Sequence, residues 1–322
     1  MSCYHYHILE RRKAHRGFTL IELLVVIVII GILASMIVVA VNSARTAARR
    51  AIIKTQIAQV EGALAQYLKT YGEYPPDFSD EAAVMRHLRK RWPKWQGGPK
   101  DIAEFCDAIN AAAGYDFSMA TVHGTTKSRG AHIGALAFWL GGIPDSNGLL
   151  NGFSADISDP LGLNGSITQW DKDSQFMELT IGNNCDIIDG LPVITANGYP
   201  IVYFKPNAAG KYWQKGTEDD PMCFHIHYNA AKHPPTWEYL GDGVPYAKSV
   251  EKDKNDIVVN VVWHNPKTYQ LIHPGLDGKF GDIGQDEDRV IDPANDVAVN
   301  ITLADKDNQA NFGGTTIESA GN

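Results

Sequence analysis

Apolar residues along this chain fall into three regimes. From Phe18 to Val41 they are nearly continuous, and Glu22 is the single ionisable side chain in the run. A segment of that length and character can cross a bilayer as a helix. From Asn42 to Tyr71 the pattern turns periodic: Ile53, Ile57, Val60, Leu64, Tyr67 and Tyr71 recur at spacings of three and four, one stripe of an amphipathic helix. Gly72 and Pro75-Pro76 then stop it. Joined, the two regimes predict one helix from Phe18 to Tyr71, roughly 80 Å long at the helical rise. Its first half is apolar all round, and its second half has one face to bury.

The third regime is mixed. Residues 77–190 read as an inserted helical and loop region. Asp80 to Arg91 and Ile102 to Ala113 have helical patterns, separated by Trp92-Pro93 and Gly97-Gly98-Pro99. Ala131 to Leu140 is a further apolar stretch, too short to span a membrane. Pro144 to Gly190 is rich in Gly, Asn, Asp and Ser, which predicts loops with short strands. From 191 to 322 strand signals dominate: Ile201-Val202-Tyr203-Phe204, Cys223 to Tyr228, Ile257 to Trp263 and Tyr269 to Ile272, each bounded by turn residues. The fold class predicted is α+β, a long N-terminal helix packed on a C-terminal antiparallel β-sheet with a large mixed insertion. The domain plan is 1–17 leader, 18–41 membrane or filament-core helix, 42–76 amphipathic continuation, 77–190 insertion and 191–322 β-rich head.

Charge narrows the function. The 322-residue chain carries a formal −8. Residues 1–17 hold Arg11, Arg12, Lys13 and Arg16 against Glu10, so a chain without them carries −11. Such an acidic body argues against a general nucleic-acid surface. Arg45, Arg49, Arg50 and Lys54 follow the apolar run and balance the basic leader, so charge alone does not orient the helix. Of four cysteines, Cys3 lies in the leader; Cys106, Cys185 and Cys223 form no CxxC pair. An exported domain permits a disulfide. Cys185–Cys223 is the preferred pair because both fall in the β-rich half, with three separate thiols as the alternative. Cys223, His225 and His227 alternate along a strand and, with His233, could hold zinc, but they lack the usual paired ligand spacing and read as a satisfied or exposed strand face. No G-x-S-x-G elbow, P-loop, dinucleotide fingerprint or HExxH is present, and the sequence points to no enzyme.

The sharpest motif is Arg16-Gly17-Phe18-Thr19-Leu20-Ile21-Glu22 at the mouth of the apolar run. An intramembrane carboxylate needs a partner, and cleavage after Gly17 would supply one as the free amine of Phe18. A secretory signal peptide places its cleavage site after the apolar stretch, whereas here the candidate cut precedes it. This pattern resembles the class III leader of type IV pilins and type II secretion pseudopilins, over about the first fifty residues. The resemblance implies a pilin-like fold, cleavage by a prepilin peptidase between Gly17 and Phe18, and N-methylation of Phe18. It further implies that Glu22 pairs with the N-terminal amine of a neighbouring subunit as a filament grows. It places the leader in the cytoplasm, the helix in the inner membrane as a single pass, and the head in the periplasm, later in a periplasmic or surface filament. Partners implied are other copies of the chain, other pseudopilins, the peptidase and an inner-membrane assembly platform. The family often carries a proline where this chain has Val39.

Two further features resemble the major pseudopilin of type II secretion. Tyr71-Gly72-Glu73-Tyr74-Pro75 looks like the end of its long helix. Leu271 to Asp292 runs LIHPGLDGKFGDIGQDEDRVID, glycine turns interleaved with carboxylates, a composition suited to calcium. It is not an EF-hand. On the family match the ligands carried over are Asp277, Asp286 and Asp288 with the carbonyl of Leu276, and Asp282 less securely because the spacing after Gly281 departs from the family. The alternative is a solvated acidic turn. Three functions remain open: a type II secretion pseudopilin, a type IV pilus or competence pilin, and a membrane-anchored binding or hydrolytic domain using a prepilin-type leader.

Overall fold

A computed structural model describes residues 18–78, 80–115, 119–122, 125–128, 131–165, 167–188, 190–212, 224–228, 238–243, 245–254, 258–280, 290–292, 297–299 and 307–312. The chain divides into two units, Met1–Ala48 and Arg49–Asn322. Helix α1, Leu20–Tyr71, supplies the described part of the first unit and enters the second. It runs through position 39 without a break.

In the first unit every described side chain is exposed, from Phe18 at 81% and Leu20 at 82% onward. This is the one helix among the described residues long and apolar enough to cross a membrane. A helix apolar all round with no protein against it needs lipid or other helices as its surroundings.

In the second unit α1 buries the stripe read from the sequence. Ile53, Val60, Leu64 and Tyr67 are fully buried, Ile57 nearly so, and Tyr71 half-buried. Gly72, at φ 74°, ends the helix, its N–H donating to the Leu68 carbonyl at 2.7 Å. The chain beyond is pinned by its carbonyls: Tyr203 Oη donates to Pro75 O (2.7 Å), Trp139 Nε1 to Pro76 O (3.0 Å) and Lys205 Nζ to Tyr74 O (2.7 Å).

Helix α2, Glu81–Arg91, starts at Asp80, whose carboxylate accepts from Ala83 N, and α3, Ile102–Ala113, starts at Asp101, which accepts from Glu104 N. Helix α4, Ala131–Gly141, is buried from Ile133 to Gly141, as its unbroken apolar sequence requires. Phe78, Phe105, Phe138, Trp139 and Phe153 stack around one another, with centroids 4.9–6.5 Å apart. They share one core with Leu191, Val193, Val202 and Leu271.

Among the described residues the strands pair antiparallel apart from Ala247 with Val290, isolated parallel bridges join Gly142 to Gly152 and Ile181 to Cys185, and the whole is divided among small sheets. Gln270–His273 is a central strand, flanked by Val202–Phe204 and Gln309–Ala310. Cys185–Ile188, Leu191–Ala196 and Tyr199–Pro200 form a meander whose first hairpin turns at residue 190. A four-stranded sheet orders Val258–Trp263, Ala247–Lys252, Val290–Asp292 and Val297–Val299. A long N-terminal helix followed by antiparallel sheets is an α+β, pilin-like arrangement.

One sequence expectation is corrected. Cys185 is a free thiol, so the preferred pairing with Cys223, which lies outside the described residues, is not made. Cys106 and Cys185 are both buried, and burial pushes each thiol up to about 12. The strand Phe224–Tyr228 pairs with Glu238–Gly243, the extra residue at its register shift falling on the partner strand between Tyr239 and Asp242; Cys223 and His233 lie outside the described residues.

Candidate functional site

The N-terminal end of α1 is a reciprocal cap. Thr19 N and Thr19 Oγ1 each donate to Glu22 Oε2 at 2.8 Å, and Glu22 N donates back to Thr19 Oγ1 at 3.3 Å. This is a capping box, Thr at the N-cap and Glu three residues on. The helix start therefore uses the carboxylate that sequence reasoning reserved for the Phe18 amine. Phe18 lies one residue before the box; Gly17 lies outside the described residues.

The second candidate is the turn after the central strand. Gly275 and Gly278 adopt φ 71° and 75°, and a Cβ on Gly275 would fall on the backbone and carboxyl of Asp307. That close approach brings together two acids 30 residues apart. Leu276 N donates to Asp307 Oδ2 at 2.6 Å, and Asp277 N reaches the same oxygen at 3.3 Å. Asp277 Oδ1 accepts from Lys279 N at 2.8 Å. Partial burial, joined by the neighbouring Asp307, raises the Asp277 carboxyl above its ordinary value. Asp307 Oδ1 is buried and has no hydrogen-bond partner among the described residues. Asp307 was not legible in the sequence, since nothing in local spacing links it to Asp277. Asp282, Asp286 and Asp288 lie outside the described residues, and no group of three His, Cys, Asp or Glu side chains is placed to hold a metal among those described.

Beneath the turn sits His273, fully buried. Its Nε2 donates to Ala196 O at 2.8 Å and its Nδ1 accepts from Gly275 N at 3.0 Å, which fixes a neutral ring. Burial lowers it to about 4.

A third cluster, absent from the sequence reading, ties α1 to α2. Arg91 Nη1 donates to Tyr67 Oη (2.8 Å), Tyr67 Oη is 2.7 Å from His87 Nε2, and His87 Nδ1 is 2.9 Å from Glu73 Oε1. Arg91 cannot accept, so the tyrosine spends its proton on His87 Nε2, and His87 donates from Nδ1 to Glu73. The contact with Glu73 has the geometry of an ion pair, yet burial and Arg91 hold the imidazole neutral, against the pull of Glu73. The Arg91 guanidinium lies 4.4–5.4 Å from the ring centroids of Tyr67, Tyr71, Trp92, Trp139 and Phe153.

A family described as "Prokaryotic N-terminal methylation motif" matches residues 12–38. More particularly, the chain is similar to proteins named "Type II secretion system core protein G". The one from Klebsiella michiganensis is 43% identical over 65 residues, 20% of this chain and 46% of that protein. The one from Klebsiella pneumoniae is 42% identical over 63 residues, 20% of this chain and 45% of that protein. The similarity thus spans about half the length of these relatives. No solved structure matches the chain.

Proposed function

We propose that this chain is a pseudopilin subunit of a type II secretion system, held in the inner membrane by α1 with its head in the periplasm, and polymerised through α1 into a filament that drives protein export. The observation that carries the reading is the combination of the Gly17-Phe18 cleavage motif with a helix whose described side chains are all exposed through Ala48. A helix so exposed needs lipid before assembly and neighbouring subunits after it. The role is structural, and the partners are other copies, other pseudopilins, the prepilin peptidase and the assembly platform.

A deletion strain tests this. Loss of exported proteins with normal surface filaments, twitching and DNA uptake is the expected outcome. Normal export with lost filaments or uptake would make the chain a pilin.

For the turn at 275–280 the proposal is a structural calcium ion. Two adjacent carboxylates, Asp277 and Asp307, with a buried oxygen lacking a partner, suit a hard cation that would neutralise them. Asp277, the Leu276 carbonyl, Asp286 and Asp288 would hold it, with Asp282 as a further acid on the same segment. The ion would cross-link the turn to the end of the chain.

A further inference from the structure

Two neighbouring cavities on the second unit share a wall. The larger, a groove of about 1630 Å³, runs between α2 and the loops at 206–211 and 266–268. The smaller, about 260 Å³, is walled by Trp92, Trp95, Pro93, Pro99 and Leu88. Met85 and Arg89 line both, so the groove leads directly to the aromatic pocket.

The groove's charges divide into committed and free. Among its acids, Asp77 accepts from Lys205 N, Asp80 caps α2, Glu81 accepts from Ile102 N, and Glu73 holds His87 and Lys90. On its walls, the exposed side chains of Arg86, Arg89, Lys211 and Lys267 enter no hydrogen bond or ion pair among the described residues. Lys211 is held on its wall by a tight turn, in which Asn207 Oδ1 accepts from Ala209 N and Lys211 N. Free cations on both walls, on a chain whose leaderless charge is negative, mark a site for an anionic ligand.

Size and chemistry say which anion. The groove exceeds the roughly 300–1,000 Å³ of ordinary small-molecule sites. The pocket beside it is large enough for one side chain. Asp80 and Glu81 also line the groove and stay exposed, so a ligand must place its charges on the four cations and away from these two carboxylates, which the separate side chains of a peptide do better than evenly spaced phosphates. We infer that groove and pocket together dock an extended acidic segment of another protein, carboxylates on Arg86, Arg89, Lys211 and Lys267, with one large apolar side chain anchored in the small pocket against the touching rings of Trp92 and Trp95. Anchor-plus-charge recognition of this kind concentrates affinity in the buried aromatic contact and orientation in the charges. The inference is independent of the export reading.

The test uses the full chain in nanodiscs of zwitterionic lipid. The probe is a fluorescent decapeptide of glutamate and aspartate around a central phenylalanine. Saturable binding is expected, weakened about tenfold or more by R86E/R89E and, separately, by K211E/K267E, since each removes paired charges from one wall. The control K94E, an exposed cation outside both cavities, should change binding less than about twofold. Replacing the phenylalanine with glycine should also weaken binding about tenfold, the loss of an anchor. The two double variants lie on different elements, so misfolding of one leaves the other informative. Absent binding, wild-type affinity in both double variants, indifference to the phenylalanine, or equal affinity for a single-stranded DNA decamer would each overturn the inference. So would self-association of the chain that is lost in the double variants without any peptide binding, which would make the surface homotypic.

Discussion

At the residue scale, Glu22 serves two roles that a substitution can separate. Glu22→Ala should still be cleaved before Phe18, because the motif at Gly17 is untouched. It should enter filaments at least about tenfold less well. It also loses the carboxylate half of the capping box, the two bonds from Thr19 to Glu22 Oε2, while the backbone N–H at position 22 keeps its bond to Thr19 Oγ1. Glu22→Gln retains an acceptor for Thr19 without the charge, so normal helix start with poor assembly in that variant isolates the charge. Comparing cleaved and cross-linked fractions in membranes checks both. His273 yields a second prediction. Its ring is neutral in the fold at about 4 against 6.5 unperturbed, so the unfolded chain takes up the proton first. Stability is therefore complete above about pH 6.5 and falls as pH drops toward 4, by up to ~1.4 kcal/mol per pH unit for each such group. His87, held low chiefly by burial, acts in the same direction. A melting temperature that stays level from pH 7 to 4.5 would contradict this, and His273→Gln should flatten part of the slope.

At the element scale, the join between α1 and α2 depends on a buried polar chain more than on helix propensity. Tyr67→Phe removes the only described acceptor of Arg91, whose Nε and Nη2 already lack partners, and the donor to His87. Leaving such groups unsatisfied costs about 1–3 kcal/mol, which urea unfolding would register as a lower midpoint. The buried face of α1 was legible in the sequence because a period of 3.6 is local: Ile53, Ile57, Val60, Leu64 and Tyr67 all lie where the spacing puts them. Helices α2 and α3 were legible for the same reason, as were the cores of the strands Val202–Phe204, Val258–Trp263 and Gln270–His273. The partners of those residues were not. Arg91 reads locally as a solvated charge in a basic run, and only the fold surrounds it with five rings. Asp307 reads as tail, and only the sheet carries it to Gly275.

At the scale of the whole molecule, the insertion and the head cannot be separated cleanly. Trp139 and Phe138 of α4 are fully buried in the core that also holds Tyr203 and Leu271. Deleting residues 80–190 should therefore abolish a soluble head rather than trim a module, seen as aggregation or rapid proteolysis of the variant. Trp139→Ala alone should cost about 3–5 kcal/mol. Calcium belongs to this scale too, since a bound ion would tie residues 276–277 to 307. If the loop holds calcium, about 1 mM of the ion should raise the melting temperature over that in EDTA by mass action on the folded state. Asp307→Asn should reduce that rise. Equal midpoints with and without the ion would leave the segment a plain acidic turn.

The cap on α1 has one further consequence. If subunits join through the Phe18 amine, joining is an exchange reaction: the Glu22 carboxylate gives up some of its bonds to Thr19 as it gains an ammonium. The free energy available from that residue is the difference between two partnerships. Such a difference can set register and direction, while leaving cohesion to the apolar flanks. Filaments built this way would take their polarity from one residue and their strength from the apolar surface of the helix.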